Sequence, residues 1–344
     1  MSCVPTVQER IANWIMSTEP VPVDGGGHEP LGALIQDVNR HVEQMAQRLY
    51  WEYEPTRGAH PDFWQRLNKW LANVETETRQ QYLFRLLPHL FFVGTHEIDS
   101  LYRVAFNNQI AVWLINQLNM SLNDPNASDL LKQAVRETWF CPITDSMRIN
   151  AFYHVNNIEG RDYRPDWRSL YRFGNADKVS EFILANGIKR IVLLEDFVGN
   201  GGQIKKAIDW AATKLKSRVP LLVVPLVLCP CGIPFFRGLE EKYDHVRMST
   251  CILLRESGFL TDAPNPGEPP VFTEIRNICT LAVDQMQDGL DAAQLERAEK
   301  YIPFGWHKTG ALIVLYTNCP NNTLPIVFHS APHWKPLFPR SARI

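Results

Sequence analysis

Two short apolar runs on either side of an amphipathic segment limit most strongly how this chain can fold. The runs Arg190–Glu195 (RIVLLE) and Pro220–Leu228 (PLLVVPLVL) are rich in valine, isoleucine and leucine, as is typical of parallel strands buried on both faces. Between them, one apolar stripe at helical spacing comprises Ile204, Ala207, Ile208, Ala211 and Leu215. Strand, helix and strand within about forty residues form a βαβ unit with an expected right-handed crossover. The pattern therefore predicts an α/β fold with a parallel sheet.

The first half of the chain carries helical patterns instead. Apolar residues recur at helical spacing in three segments, namely Phe63, Leu67, Trp70 and Val74, then Leu83, Leu86, Leu87 and Leu90, then Ile98, Leu101 and Ala105. A loop at Asn123–Ser128 follows, with Ser128 suited to cap the next helix. We predict a mainly helical N-terminal region over residues 1–128 and an α/β core over residues 129–344. Later strands are expected within Met248–Ser257, Gly310–Thr317 and Leu324–His329.

The composition excludes several classes of protein. The 344 residues are 45% hydrophobic and 21% charged, which is ordinary for a folded globular chain and far from disorder. A formal charge of −2 predicts no general attraction to nucleic acid or anionic membranes, although it leaves room for a local basic patch. No apolar run approaches the length of a membrane span, and seven cysteines at scattered spacings favour a reducing compartment. We expect a cytoplasmic protein.

The segment after the first apolar run has the chemistry of a sugar-phosphate site. Glu195 and Asp196 are followed by a glycine-rich turn, Gly199–Gly202, and by a predicted helix. Glycines leave backbone N–H groups accessible, and a helix N-terminus adds partial positive charge, so a phosphate suits the turn. The carboxylates would repel that phosphate and instead suit vicinal ribose hydroxyls, whose hydrogen bonds they accept. Neither a P-loop nor a dinucleotide-binding pattern is present, and an ordinary strand-to-helix turn is the alternative.

The stretch VLLEDFVGNGGQ resembles the ribose-phosphate signature of the phosphoribosyltransferases. This resemblance implies that Glu195 and Asp196 are catalytic and hold the ribose 2′ and 3′ hydroxyls. It also implies that the loop binds the 5-phosphate through Val198, Gly199, Asn200, Gly201, Gly202 and Gln203. Asn200 and Gln203 replace the usual threonines, yet their NH₂ groups also donate hydrogen bonds.

Other stretches resemble one branch of these proteins, the PRTase-CE family of bacterial conflict systems. They are Ser100–Phe106, Cys141–Asn150 and the C-terminal sequence from Phe304 to Arg340, so the resemblance covers most of the chain from about Phe63 onward. It implies a type I phosphoribosyltransferase-like α/β core, a phosphoribosyl pyrophosphate or nucleotide ligand with donor-bound Mg²⁺, and an effector role in antiviral, in part retron-associated, defence. A defence-system partner protein or nucleic acid belongs to the same expectation.

Departure of pyrophosphate from ribose C1 builds positive charge on the sugar ring, which facing carboxylates favour. Arg148 and Lys178 are candidates for binding the leaving group, because Arg148 follows a small polar turn, Thr144–Ser146. For each of these two residues, a solvated surface cation is the alternative. The sequence offers no resident metal site, since Cys229 and Cys231 lack two further ligands at zinc spacing and are better explained as buried thiols.

Two functions stay open at this point. The first is a Mg²⁺-dependent phosphoribosyltransferase, and the second is a catalytically silent sensor of a ribose phosphate or nucleotide that regulates a partner protein. The segment Arg161–Arg172 interleaves arginines with aromatic residues, which suits nucleic-acid binding or an amphipathic helix. The acceptor substrate does not follow from the sequence. Its binding segment would be the N-terminal helices or the region Glu256–Pro303.

Overall fold

The computed structural model describes residues 5–23, 26–56, 62–159, 176–214 and 219–341. The segment Arg161–Arg172 and Leu215 of the helical stripe lie outside these residues. Among the described residues, no helix is both long enough and apolar enough to cross a membrane.

Helices and short strands make up the described chain. The strands are β1 Pro20–Pro22, β2 His28–Pro30, β3 Phe91–Val93, β4 Thr138–Pro142, β5 Arg190–Val198, β6 Leu221–Leu228, β7 Val246–Met248, β8 Ile252–Leu253 and β9 Ile313–Leu315. The α-helices are α1 Val7–Ile15, α2 Leu31–Arg48, α3 Phe63–Leu71, α4 Glu77–Leu86, α5 Thr95–Val104, α6 Ala111–Gln117, α7 Ala127–Arg136, α8 Ile149–Val155, α9 Ala176–Ala185, α10 Gly202–Lys214, α11 Ile233–Lys242, α12 Val271–Leu281, α13 Val283–Gln287, α14 Ala292–Ala298 and α15 Pro325–Phe328.

The chain divides into two compact units. One unit combines residues 1–95 with residues 255–344, and the other comprises residues 96–254. Strand β3 near the start of the chain pairs in parallel with β9 near its end, which joins the two outer segments. This grouping differs from the regions 1–128 and 129–344 expected from the sequence, whose boundary stays a prediction.

The unit of residues 96–254 contains the predicted parallel sheet. The strand order is β4-β5-β6-β7, with β8 also paired to β6, and every pairing is parallel. All residues of β5 and β6 are buried, as expected for strands covered on both faces. The α/β class and the βαβ unit formed by β5, α10 and β6 are therefore confirmed, whereas the right-handed crossover stays a prediction.

Helix α10 packs on this sheet through the predicted apolar stripe. Ile204, Ala207, Ile208 and Ala211 are all buried in one hydrophobic core with residues of β5 and β6. Complete burial of a side chain the size of Ile208 stabilises the fold by about 1.5–3 kcal/mol relative to exposure. The stripe therefore determines which face of α10 meets the sheet, and so where the loop before α10 lies.

The other unit is held together by contacts between its two chain segments. The Tyr53 hydroxyl donates a hydrogen bond to the Pro339 carbonyl at 3.0 Å, and the Arg66 Nε donates to the Leu337 carbonyl at 3.0 Å. The ring of Phe338 lies against those of Tyr50 and Tyr53 at centroid distances of 5.1 and 5.2 Å. Through Arg66, helix α3 thus contacts the C-terminal segment.

The prediction of a strand at Leu324–His329 is wrong, because this segment contains the short helix α15. Pro325 is the first helical residue, where its fixed φ favours a helix and its missing N–H costs nothing. The Ile326 carbonyl accepts hydrogen bonds from the indole N–H groups of Trp70 and Trp334, at 2.7 and 3.1 Å, instead of joining a sheet.

Two further boundaries differ from expectation. Helix α7 begins at Ala127 and not after Ser128, because Asp124 accepts a hydrogen bond from the Asn126 N–H and turns the chain into the helix earlier. The strand predicted within Met248–Ser257 corresponds to two short strands, β7 and β8. These pair with opposite ends of β6, and Ser249, Thr250 and Cys251 connect them while each donates a hydrogen bond to a β6 carbonyl.

Burial of His329 predicts a pH-dependent stability. Its Nε2 donates to the Met286 carbonyl at 2.8 Å, which leaves Nδ1 to accept from the Tyr301 hydroxyl at 3.1 Å. Burial lowers the pKa of His329 below its usual 6.5, and the bond to Met286 opposes this shift. The folded state therefore favours the neutral ring. As the pH falls below about 6.5, the unfolded chain takes up a proton more readily and stability is lost.

Denaturant unfolding between about pH 7.5 and about pH 5 measures this loss. We expect the free energy of unfolding of wild type to fall more steeply than that of His329→Gln, whose amide also donates to Met286 but does not titrate in this range. Parallel pH profiles of the two proteins would contradict the prediction.

Candidate functional site

The two acids lie inside the central strand and not just past its end. Strand β5 continues from Glu195 and Asp196 to Val198, and the two side chains are only 2% and 7% exposed. Strand β4 ends at Pro142, opposite Leu194, so the chain that follows β4 runs past the acid pair. Buried carboxylates need hydrogen-bond donors, and this adjoining segment supplies them.

The turn after β4 binds both carboxylates. Thr144 donates from its backbone N–H to Glu195 Oε2 at 2.9 Å and from its hydroxyl to Oε1 at 2.6 Å. The Ser146 hydroxyl donates to Asp196 Oδ1 at 3.0 Å, and the Phe197 N–H donates to the same oxygen at 2.8 Å. The acid pair is thus held in a fixed orientation by a polar turn from the neighbouring strand.

The two hydroxyls take part in more contacts than they have hydrogens. Thr144 Oγ1 and Ser146 Oγ lie 2.7 Å apart, in addition to their contacts with Glu195 and Asp196. Each hydroxyl carries one hydrogen, so only two of these three contacts are hydrogen bonds at any moment. The turn and the acid pair therefore form one connected polar cluster.

The glycine loop follows β5 directly, and α10 begins at Gly202. The Gly202 N–H donates to Asn200 Oδ1 at 3.1 Å, so the Asn200 side chain braces the turn with its oxygen and keeps its NH₂ group as a donor. No acidic residue occupies the first turn of α10, so no carboxylate there offsets the positive end of the helix dipole. Gln203 is exposed in that first turn. These features suit an anion.

Close packing shapes this loop. Gly201 has φ +84°, and a Cβ there would lie 2.1 Å from the ring of Phe235. A Cβ on Gly232 would lie 2.4 Å from the Gly199 carbonyl oxygen. The loop after β5 therefore rests on the turn after β6, and glycine is required at Gly201 for both its backbone angle and its contact.

Arg148 and Lys178 belong to the same unit as the acid pair. Arg148 directly precedes α8, two residues after Ser146, and Lys178 lies in the first turn of α9. Both side chains are exposed. Their role toward a leaving group stays a prediction.

The dithiol sequence after β6 lies next to the glycine loop. Cys229 is buried, but Cys231 is exposed, so the expectation of two buried thiols is wrong for Cys231. Its short turn, Pro230–Gly232, directs the Cys231 side chain outward. Contact with Cys231, together with burial, raises the pKa of the Cys229 thiol. Nowhere in the described chain do three or more histidine, cysteine, aspartate or glutamate residues form a group that would hold a metal.

Sequence reasoning identified the acids and the loop but missed their partners. The segment Thr144–Ser146 was considered only as a pyrophosphate cradle, whereas its hydroxyls contact the acid pair. The position of Thr144–Ser146 directly after a strand could have indicated this contact, because the carboxyl ends of neighbouring parallel strands meet at one edge of a sheet.

Comparison with known proteins agrees with the sequence motifs. The model of the PRTase-CE family matches residues 67–340, which is most of the chain and includes the acid pair, the glycine loop and the Thr144–Ser146 turn. No curated protein and no solved structure was found to match the chain.

Proposed function

Because the chain belongs to the PRTase-CE family and is a phosphoribosyltransferase-like protein, we propose that it binds phosphoribosyl pyrophosphate and transfers the phosphoribosyl group to an acceptor. Glu195 and Asp196 accept hydrogen bonds from the ribose 2′ and 3′ hydroxyls. The loop Gly199–Gln203, with Val198 at the end of β5, receives the 5-phosphate.

One observation carries this proposal. Two adjacent buried carboxylates accept hydrogen bonds from hydroxyl groups, and they are followed directly by a glycine loop and a helix N-terminus. The Thr144 and Ser146 hydroxyls contact the carboxylates as the two hydroxyls of a ribose would. The two hydroxyls of a vicinal diol are donors of the kind that these carboxylates accept, and the phosphate of the same ligand meets the positive end of α10.

The reaction requires little covalent chemistry from the protein. The bond between ribose C1 and the pyrophosphate oxygen breaks, the acceptor forms a new bond to C1, and the acceptor loses its proton. Positive charge develops on the ring as pyrophosphate leaves, and the carboxylates of Glu195 and Asp196 favour that charge. Arg148 and Lys178 bind the departing pyrophosphate in this proposal. The fixed orientation of the acid pair by Thr144 and Ser146 positions the sugar.

A donor-bound Mg²⁺ fits the residues present. The described residues offer no group of three or more metal-binding side chains. Two carboxylates together with phosphate oxygens of the ligand form an oxygen donor set of the kind that Mg²⁺ uses. The ion neutralises charge on the leaving pyrophosphate when bound. Glu195 and Asp196 are the residues that would hold it.

Burial of the acid pair favours a second candidate function. Both carboxylates are nearly inaccessible, and the Thr144–Ser146 turn already occupies them. A ligand that has to displace this turn changes the conformation of the chain after β4. In this alternative the protein is a silent sensor that reports a ribose phosphate or nucleotide to a partner protein through the turn.

Calorimetric titration of phosphoribosyl pyrophosphate with Mg²⁺ tests ligand binding, and pyrophosphate release with nucleobases and nucleotides as acceptors separates the two candidates. Saturable binding with pyrophosphate release is expected for the transferase. Saturable binding without release supports the sensor. If wild type gives no heat with phosphoribosyl pyrophosphate, ribose 5-phosphate or nucleotides, both candidates are wrong.

The proposal extends to biological context. We propose that this protein is a cytoplasmic, retron-associated effector of bacterial antiviral defence. In that role it uses the transfer reaction to deplete or modify a nucleotide pool. A defence-system partner protein or nucleic acid is then its regulator. Survival of phage-infected cells that carry wild type or Asp196→Asn tests this extension, because protection that persists in the variant contradicts it.

A further inference from the structure

A separate cavity lies in the unit formed by residues 1–95 and 255–344. Its volume is about 480 Å³, within the range of small-molecule sites. It is lined by residues from Leu290 to Ser341, and the lining combines cations with aromatic rings. None of these residues belongs to the unit that contains the acid pair.

The charge of this cavity is positive. Arg297, Lys300 and Arg340 line it, and no aspartate or glutamate is among its lining residues. Lys300 pairs with Glu296 at 3.0 Å one helical turn earlier, but the two side chains are 49% and 74% exposed. An ion pair so exposed holds its partners weakly, so Lys300 can exchange Glu296 for an anion. Three cations around one cavity suit a phosphate group.

Aromatic rings form another part of the wall. Trp306 and Tyr301 both line the cavity, and each is half-buried. The Tyr301 hydroxyl donates to His329 Nδ1, whose ring is held in turn by the Met286 carbonyl. This chain of hydrogen bonds fixes the Tyr301 ring before any ligand arrives. Such rings offer faces on which a planar heterocycle stacks.

An unsatisfied acceptor completes the lining. The side-chain oxygen of Asn321 is buried and, among the described residues, has no hydrogen-bond partner. Neighbouring groups do form hydrogen bonds. The Asn321 backbone carbonyl accepts from the Trp306 N–H at 2.8 Å, and the Asn322 side-chain NH₂ donates to the Thr309 hydroxyl at 2.9 Å. A buried polar atom without a partner is costly, and the Asn321 amide would gain a partner by turning its oxygen toward a ligand N–H or O–H in the cavity.

We infer that this cavity binds a nucleoside monophosphate. Its phosphate meets Arg297, Lys300 and Arg340, its base stacks on Trp306 or Tyr301, and an exocyclic amino group or ribose hydroxyl donates to Asn321. The three kinds of lining group match the three parts of one mononucleotide, which neither inorganic phosphate nor a neutral nucleoside does. This inference does not depend on the function proposed for the acid pair.

Calorimetric titration of AMP, GMP, CMP and UMP, with inorganic phosphate alongside, tests the inference. The proteins are wild type, the double variant Arg297→Gln/Lys300→Gln, Trp306→Leu and Asp196→Asn. The matched control is Lys69→Gln/Arg79→Gln, which removes the same charge from exposed positions on α3 and α4 of the same unit, away from the cavity. Thermal unfolding of each variant verifies that it is folded.

We expect at least one mononucleotide to bind with 1:1 stoichiometry at this cavity and to bind more tightly than phosphate. The Arg297/Lys300 double variant and Trp306→Leu should each weaken this 1:1 binding by about tenfold or more, while the control pair stays within about twofold of wild type. Asp196→Asn should keep the component of the binding that the cavity variants remove, whatever it does to binding at the acid pair. The inference is overturned if no mononucleotide binds below about 5 mM, or if phosphate binds as tightly. It is equally overturned if Asp196→Asn abolishes the binding and the cavity variants do not.

Discussion

Replacement of Asp196 by asparagine is expected to weaken binding of phosphoribosyl pyrophosphate by about tenfold to a hundredfold. The substitution keeps the shape of the side chain but replaces a carboxylate, which only accepts hydrogen bonds, by an amide with an NH₂ group that opposes a ribose hydroxyl. It also removes the negative charge that favours a cationic ring. Calorimetric titration in the presence of Mg²⁺ measures the change.

The folded structure should tolerate this substitution. The amide oxygen of asparagine can still accept from the Ser146 hydroxyl and the Phe197 N–H, which bind the same Asp196 oxygen in the native protein. Asp129→Asn is the matched control, because it makes the same change in the same unit at a carboxylate that is 82% exposed. Equal affinity of Asp196→Asn and Asp129→Asn would show that the acid pair does not hold the sugar.

Replacement of Gly201 by alanine is expected to have the largest effect on the glycine loop. The new Cβ would meet the Phe235 ring at 2.1 Å, far inside van der Waals contact, and the residue has φ +84°. Positive φ costs about 1–2 kcal/mol for a residue other than glycine, and overpacking adds about 1–3 kcal/mol. The variant should lose about 2–5 kcal/mol of stability and bind ribose 5-phosphate at least about tenfold more weakly.

The variant Gly187→Ala separates the cost of positive φ from the cost of the clash with Phe235. Gly187 lies in the same unit with φ +61°, and a Cβ there would meet nothing within 4 Å. This control should lose only the cost of positive φ, about 1–2 kcal/mol, and should bind the ligand as wild type does. Addition of Phe235→Ala to Gly201→Ala should restore part of the affinity by removing the clash. If Gly201→Ala and Gly187→Ala behave alike in urea unfolding and in titration, the close contact with Phe235 has no part in shaping the site.

The local pattern of the sequence was enough to predict the α/β core and the acid–glycine site. Continuous apolar runs are buried on both faces wherever they lie in a parallel sheet, so β5 and β6 could be predicted without knowledge of their neighbours. The carboxylates, the glycines and the helix start follow one another directly in the chain. Their proximity in space is therefore a consequence of covalent connection.

Tertiary structure decided which distant groups complete each site. Thr144 reaches Glu195 across 51 residues only because β4 and β5 pair in parallel and end at the same edge. The segment around Ile326 has the composition of a strand. It is helical because Pro325 begins a turn and two tryptophan side chains bind its carbonyl.

The composition of the two compact units also could not be predicted from local sequence patterns. Strand β3 pairs with β9 although most of the chain separates them, and no local pattern specifies such a partner. The cavity around Asn321 likewise depends on residues that the fold collects from Leu290 to Ser341. Sequence alone determined the strands β5 and β6, helix α10 and the glycine turn between β5 and α10, because those depend on neighbouring residues. Packing decided which of these segments contact one another, because burial of apolar surface stabilises a contact irrespective of how far apart its residues lie along the chain.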